Sequence, residues 1–293
     1  MINKDPKLEK KRISILGCGW LGFRLAKRLL ELDITSQIKG STTSDSKLVL
    51  FKNAGVEGYV FDLNPTFSAE DSVLQSFLNT DSLVISIPPK LSQHESGFHL
   101  AQIRSIVSFV KKSSVKEIIY ISSTGVYPDL NRVVNEEDVI SPEQSASPEF
   151  VWAENTLSTL RTDFPEMKIS VLRLGGIIGY ERIPGKYVKG KKDMTTGSLP
   201  VNYIHPDDAV QIMSSMLQNG LHNETFNIVA PQHPTRREVY EATCAQFGWE
   251  SPTFIEQEPK PNFKIISGRK LSELYDYDFK YPNPLKFHYE MLD

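Results

Sequence analysis

An apolar run at 13–16 is followed by Gly17-Cys18-Gly19-Trp20-Leu21-Gly22, and beyond it Leu25, Leu29 and Leu32 continue one helix face from Leu21. A G-x-G-x-x-G run is a weak signal alone and a strong one between a buried strand and a helix. There the first glycine makes the tight turn, and the second lets backbone approach a pyrophosphate. The third lets the helix pack closely on the strand. The amides of Trp20, Leu21 and Gly22 then face the ligand from a helix N-terminus, where the helix dipole favours an anion. The side chains of Cys18 and Trp20 are read as scaffold, because backbone amides do the phosphate binding. Few folds satisfy all of this, and the expected one is a dinucleotide-binding strand–turn–helix unit.

Further β-rich runs at 36–40, 58–61, 83–87, 117–122 and 169–174 alternate with helical patterns. One helix carries Ile103, Ile106, Val107 and Val110 on a single face, and another is expected over 149–161. Strands alternating with helices imply βαβ units. The expected fold class is therefore α/β: a doubly wound parallel sheet (Rossmann fold) with a smaller C-terminal lobe closing over the ligand crevice. Residues 1–180 are assigned to the dinucleotide-binding domain. Residues 201–230 return to it through a helix near 206–218 and a strand at 225–229. The segments 181–200 and 231–293 are assigned to the small substrate-side lobe. Glycine, proline and lysine crowd 183–200, which reads as a mobile loop.

Composition removes several alternatives. The 33 Lys and Arg against 36 Asp and Glu give a net charge of −3, too balanced to gather nucleic acid or anionic lipid. The two cysteines, Cys18 and Cys244, share no redox or metal-ligand spacing, which suits a reducing compartment. No apolar run is long enough for a signal peptide or a bilayer crossing, so a cytoplasmic protein with no nucleic-acid or membrane partner is expected. His94, Glu95 and His99 have no helical ligand spacing and read as a solvated loop, with no metal expected. Oligomeric state is not encoded in any of these features.

NAD-preferring sites carry a carboxylate at the end of the second strand, on the ribose hydroxyls. That region reads Gly40-Ser41-Thr42-Thr43-Ser44. Hydroxyls there, with Lys47 nearby, favour NADP, while a shifted strand end would bring in Asp45 and leave NAD possible. Thr42, Thr43 and Ser44 are thus candidate cofactor contacts. Asp62, after the third strand, either accepts from the adenine amino group or caps its own turn. Pro88 and Pro89 stiffen the loop after the fourth strand, where the cofactor would pass. Lys90 beside them reads as solvated.

Three more segments carry a resemblance: Tyr120-Ile121-Ser122-Ser123-Thr124-Gly125-Val126-Tyr127, Leu172-Arg173-Leu174-Gly175-Gly176-Ile177-Ile178-Gly179, and Asn202-Tyr203-Ile204-His205-Pro206-Asp207-Asp208-Ala209. With the glycine loop, these make the chain resemble the extended and atypical short-chain dehydrogenase/reductases, the NAD-dependent epimerase/dehydratase group, over about 13–230. The resemblance implies cofactor contacts at Ser122, Gly175 and Gly176. It also implies a catalytic hydroxyl at Ser123, on a substrate oxygen near the nicotinamide. Independently, a hydroxyl at the C-terminal end of a parallel strand faces the ligand crevice.

The chain departs from the family at the tyrosine–lysine pair of the next helix. Aligned through Ala153 and Glu154, Ala146 stands in the tyrosine's place and Phe150 in the lysine's. Neither can exchange a proton. Tyr127, Tyr180, Lys186, Tyr187, Tyr203 and His205 are the titratable alternatives. The basic cluster Arg182, Lys186, Lys189, Lys191 and Lys192 suits an anionic or nucleotide-linked small-molecule substrate. Two function classes follow: an NADP(H)-dependent oxidoreductase or epimerase/dehydratase-like enzyme on a sugar-like or anionic carbonyl or alcohol substrate, or a non-catalytic NADP-binding regulator.

Overall fold

The computed structural model describes residues 10–89 and 95–291. Lys90 and His94 lie outside the described residues. In chain order the elements begin β1 (Lys11–Leu16), α1 (Trp20–Glu31), β2 (Thr35–Thr42), α2 (Leu48–Asn53), β3 (Glu57–Val60), α3 (Asp71–Leu78), β4 (Ser82–Ile85), α4 (Phe98–Val110) and β5 (Glu117–Ser123). They continue β6 (Arg132–Val134), α5 (Pro148–Ser158), α6 (Leu160–Asp163), β7 (Lys168–Leu174), β8 (Gly176–Ile177), α7 (Pro184–Val188), β9 (Tyr203–Ile204), α8 (Pro206–Asn219), β10 (Thr225–Ile228), α9 (Arg236–Gln246), β11 (Lys264–Ile266) and α10 (Arg269–Tyr275). The main sheet has seven strands in the order β10-β7-β5-β4-β1-β2-β3. This is the doubly wound α/β order, with β1 central and the direction of winding reversing beside it.

The chain divides into two compact units. The first holds the residues to Ser122, Glu149–Val171 and Val210–Glu224. Its strands pair parallel, β1 with β2 and β4, β2 with β3, and β4 with β5. The last four residues of β1 are buried, as a strand covered on both faces must be. Leu21, Leu25, Ala26 and Leu29 form the buried stripe of α1. A second layer packs Leu74, Phe77, Ile103, Ile106, Val107 and Leu157 around Ile118 and Tyr120 of β5. Lys39 is buried in β2 because its ammonium donates to the carbonyls of Ser76 and Asn79, at the end of α3. Burial lowers its pKa.

The second unit holds Ser123–Pro148, Leu172–Ala209 and the residues from Thr225 on. Two parallel strand pairs occur in it, β11 with β6 and β8 with β9. Asp208 is fully buried and ties down the C-terminal region, accepting from the Tyr277 hydroxyl at 2.8 Å and from the Lys280 and Tyr281 amides. The segment expected as a mobile loop contains α7, with Ile183 and Val188 buried. Gly185 lets that helix lie against α9, its amide donating to the Thr243 hydroxyl at 2.9 Å. So few apolar residues, so widely spaced, leave no periodic signal in the sequence.

Candidate functional site

In the first unit the glycine loop joins β1 to α1. Gly17 has φ +84°, and a Cβ there would sit 2.7 Å from the Ser86 carbonyl oxygen, so only glycine fits. A Cβ on Gly22 would lie 2.9 Å from the Gly17 oxygen, the close helix–strand contact that the motif demands. Gly19 is different. Its φ is −83°, and the nearest atom to an added Cβ is 4.0 Å away. No protein atom crowds an added Cβ there. Helix α1 has no side-chain cap and no acidic residue in its first turn, which leaves its N-terminus suited to an anion.

Ser41 braces this loop: its hydroxyl accepts from the Gly17 amide at 2.8 Å and its carbonyl from the Cys18 amide. Cys18 is scaffold, packed against Gly40, and burial pushes its thiol up to about 12. Strand β2 ends at Thr42, whose hydroxyl accepts from the Ser44 amide at 3.2 Å. Thr43 is exposed, Ser44 is half-buried, and Asp45 opens a separate short turn. Asp62 lies two residues past β3, is exposed, and accepts the Leu63 amide at 2.8 Å. Pro88 is exposed and Pro89 half-buried; both follow directly on the Ser86 and Ile87 atoms against which Gly17 packs.

Ser122 is buried, and its hydroxyl donates to the buried carboxylate of Glu154 on α5. Phe150, in the family's lysine place, turns its ring edge toward His99 at 6.2 Å. His99 is a correction to the sequence reading. It is buried at the start of α4, 2.8 Å from the Tyr120 hydroxyl and 3.1 Å from Gln102. Burial lowers its pKa. Its apolar surroundings come from α4, α5 and β5, which the local sequence around His94 and Glu95 does not reveal.

In the second unit, Ser123 ends β5 and is half-buried. Its hydroxyl accepts from the Gly125 amide at 3.0 Å, which leaves its own hydrogen to donate. Ala146 is exposed, its amide donating to the Val126 carbonyl. Tyr127 is fully buried: its hydroxyl donates to Asn227 at 2.7 Å and accepts from Arg173 at 2.9 Å. Burial pushes its pKa up to about 12, against the pull of Arg173. The buried Glu136 completes this cage, accepting the Asn227 amide at 2.7 Å.

The glycines of the family's sixth-strand loop have protein reasons. A Cβ on Gly175 would lie 2.5 Å from the Asn202 carbonyl oxygen, and one on Gly176 2.8 Å from the Tyr203 ring. His205 is buried beneath Gly179 with its ring 3.9 Å from that of Tyr281 at a 38° tilt, and burial lowers its pKa to about 4. Tyr180 donates to Asp207 at 2.7 Å. Lys186 and Tyr187 are exposed, Lys189 lies over the Trp249 ring, and Lys192 pairs with Glu250. Sequence reasoning missed the buried cage of Glu136, Arg173 and Asn227 around Tyr127, whose members lie up to a hundred positions apart.

The sheet order and the strand–loop–helix unit define the Rossmann-like fold of the NAD-dependent epimerases and dehydratases, the extended short-chain dehydrogenase/reductases that the motifs resemble. The UDP-glucuronic acid 4-epimerase of Bacillus cereus, solved in complex with NAD, superposes with a TM-score of 0.75 at 16% identity, covering 94% of this chain and 97% of that one. The UDP-Glc/GlcNAc 4-epimerase of Campylobacter jejuni gives 0.74 at 17% identity, covering 94% and 95%. Protein YeeZ of Escherichia coli (strain K12) is 29% identical over 275 residues, 94% of this chain and 98% of that protein. No family model matches the sequence. Among the described residues, no cluster of three or more potential metal ligands occurs and no helix is long and apolar enough to cross a membrane.

Proposed function

We propose that the chain binds NADP(H) on the glycine loop of its first unit. With it, the chain acts as an oxidoreductase or epimerase/dehydratase-like enzyme on a sugar-like or anionic carbonyl or alcohol substrate. The observation that carries this reading is the gap at Gly19, where no protein atom comes nearer than 4.0 Å to an added Cβ, beside an uncapped helix N-terminus. Gly19 is half-buried, and the open space beside it is room that a phosphate can take from water. The preference for NADP rests on β2 ending in Thr42, with Thr43 and Ser44 following and no carboxylate before Asp45. The related fold in Bacillus cereus holds NAD, and the neighbouring protein MoeE5 holds UDP-glucose with NAD, which supports a nucleotide-linked substrate.

The bound nicotinamide supplies hydride exchange. The chain supplies the Ser123 hydroxyl, which keeps its hydrogen for a substrate oxygen while accepting from Gly125. The proposed domain assignment gives cofactor binding to 1–180 with 201–230 and the substrate-side lobe to 181–200 and 231–293, a division that differs from the two compact units in placing Ser123 with the cofactor residues. A second reading, a non-catalytic NADP-binding regulator, is favoured by one observation. Ala146 and Phe150 stand where the tyrosine and lysine should be, while Tyr127 is locked between Arg173 and Asn227.

Titration of the purified chain with NADPH and NADH, followed by nicotinamide fluorescence, tests the first step. Saturable binding, tighter for NADPH, is expected. Binding with turnover of a sugar nucleotide or small carbonyl supports the enzyme, binding without any turnover supports the regulator, and no binding removes both.

A further inference from the structure

His205 stands at the N-terminal end of α8. Its carbonyl accepts the Ala209 amide at 3.0 Å, Pro206 opens the helix, and its Nδ1 accepts the Asp207 amide at 3.2 Å. The imidazole therefore caps the helix, a task that usually falls to Ser, Thr, Asp or Asn. An amide N–H only donates, so Nδ1 carries no hydrogen. The ring's hydrogen sits on Nε2, which faces the His288 carbonyl at 3.4 Å. Both contacts need the neutral ring. The side chain is wholly enclosed, with Gly179, Tyr180, Tyr281 and Phe287 around it.

Tyr281 and Phe287 belong to a C-terminal strap, residues 280–290, that is stitched to Tyr180. The Tyr180 amide donates to the His288 carbonyl at 2.8 Å, the Tyr180 carbonyl accepts the Glu290 amide at 3.3 Å, and Tyr180 and Tyr289 form a parallel bridge. Tyr180 has φ +50°, a left-handed backbone that a bulky residue keeps only where its surroundings impose it. The Asp207 carboxylate adds two more ties, accepting from the Tyr180 hydroxyl at 2.7 Å and from the Lys280 ammonium at 2.9 Å. His205 stands among these anchors, its Nδ1 3.9 Å from the same carboxylate.

We propose that His205 is an acid-sensitive latch: a second proton on its ring frees residues 280–290 from Gly179 and Tyr180 while the first unit stays folded. That proton goes to Nδ1, where it faces the Asp207 amide and adds positive charge to the positive end of α8. The Asp207 carboxylate can meet the new N–H only by leaving Tyr180 and Lys280, the contacts that anchor the strap. The other groups around the ring offer no substitute. Asp208 is fully buried and already holds the Tyr277 hydroxyl and the Lys280 and Tyr281 amides. Lys280 and His288 repel positive charge on the ring, and Tyr281 presents only its aromatic face and edge. Burial keeps the pKa of the enclosed ring at about 4, against an ordinary 6.5. The closed strap is thus favoured above pH 6.5 and loses that advantage as the pH falls toward 4. The inference goes beyond the nicotinamide reading and stands on the second unit alone.

The test is hydrogen–deuterium exchange of the full chain at several pH values, corrected for the intrinsic effect of pH on exchange. Between about pH 7.5 and 5, opening of the strap should rise roughly thirtyfold, the factor for a ring that titrates at 6.5 when free and at about 4 when enclosed. Strands β1 and β4 should keep their protection. His205→Gln is neutral, and its amide can accept from Asp207 and donate to the His288 carbonyl, so the strap should stay closed throughout. His288→Gln keeps that carbonyl and should respond as the parent chain does. An acid response that survives in His205→Gln or vanishes in His288→Gln would overturn the proposal, as would a first unit that opens in step with the strap. Should His205→Gln fail to fold, the parent chain decides alone. Its strap must begin to open near pH 6.5, and a rise confined below about pH 5 belongs to carboxylates and overturns the latch.

Discussion

The chain carries two glycine-rich strand ends that look alike in sequence, Gly17-Cys18-Gly19 after β1 and Gly175-Gly176 after β7, and they are glycine-rich for opposite reasons. At Gly175 and Gly176 the missing side chain makes room for protein, the Asn202 carbonyl at 2.5 Å and the Tyr203 ring at 2.8 Å from an added Cβ. At Gly19 the missing side chain leaves room that no protein atom uses. A glycine that packs against protein and one left open for the proposed cofactor differ in what a methyl group would meet. Gly175→Ala should be the most damaging change, costing about 3 kcal/mol or more, because a backbone carbonyl cannot step aside as a side chain can. Gly19→Ala should cost clearly less, about 1 kcal/mol, since an added Cβ comes no nearer than 4.0 Å to a protein atom and the cost is confined to a backbone at φ −83°, ψ −145°. Urea unfolding of the two variants side by side decides it, and equal losses would erase the distinction.

The second unit's packing glycines extend to Gly179, whose absent side chain accommodates the imidazole of His205. Burial holds the pKa of His205 down to about 4, against an ordinary value of 6.5. Between those values the unfolded chain takes up a proton that the folded chain refuses, so stability should fall as pH drops from 6.5 toward 4. The loss should be on the order of 2–3 kcal/mol and be absent from the slope of His205→Gln, measured by denaturant unfolding at several pH values. A slope unchanged by the substitution would mean that other groups carry the acid sensitivity. Gly19, proposed to face the cofactor, should give the reverse signature. Gly19→Asp should cut NADPH affinity more than tenfold, about 1.4 kcal/mol or more, with the Tm little moved. A matching fall in Tm would place Gly19 among the packing glycines.

Much of the fold is legible because α1, α4 and the buried strands follow simple periods, and G-x-G-x-x-G fixes their connection. Strand ends fell within about two residues of the expected ones, with β2 running to Thr42 rather than to residue 40. What sequence could not show depended on contacts far along the chain. His99 reads as part of a polar loop until Tyr120 and Phe150 arrive from β5 and α5 to bury it. Tyr127 reads as a candidate acid until Arg173 and Asn227 close on its hydroxyl. The segment at 183–200 reads as mobile because the residues that hold α7, Thr243 and Cys244, lie more than fifty positions away. Ser41 stood outside the candidate contacts Thr42, Thr43 and Ser44, and only geometry shows that its hydroxyl braces the glycine loop.

The finest contrast lies within one strand end, between adjacent serines of β5. Ser122 is buried and spends its hydrogen on Glu154, whereas Ser123 accepts from Gly125 and keeps its hydrogen. Ser123→Ala therefore removes only one hydrogen bond to an exposed amide, a stability cost of about 1 kcal/mol or less. Its expected mark is on chemistry: turnover of an identified substrate should drop by about tenfold or more, while NADPH affinity stays the same. Ser123→Thr, which restores a hydroxyl, should recover part of the loss. If Ser123→Ala turns over substrate at the parent rate, the hydroxyl only satisfies the Gly125 amide. The two serines would then differ in burial alone.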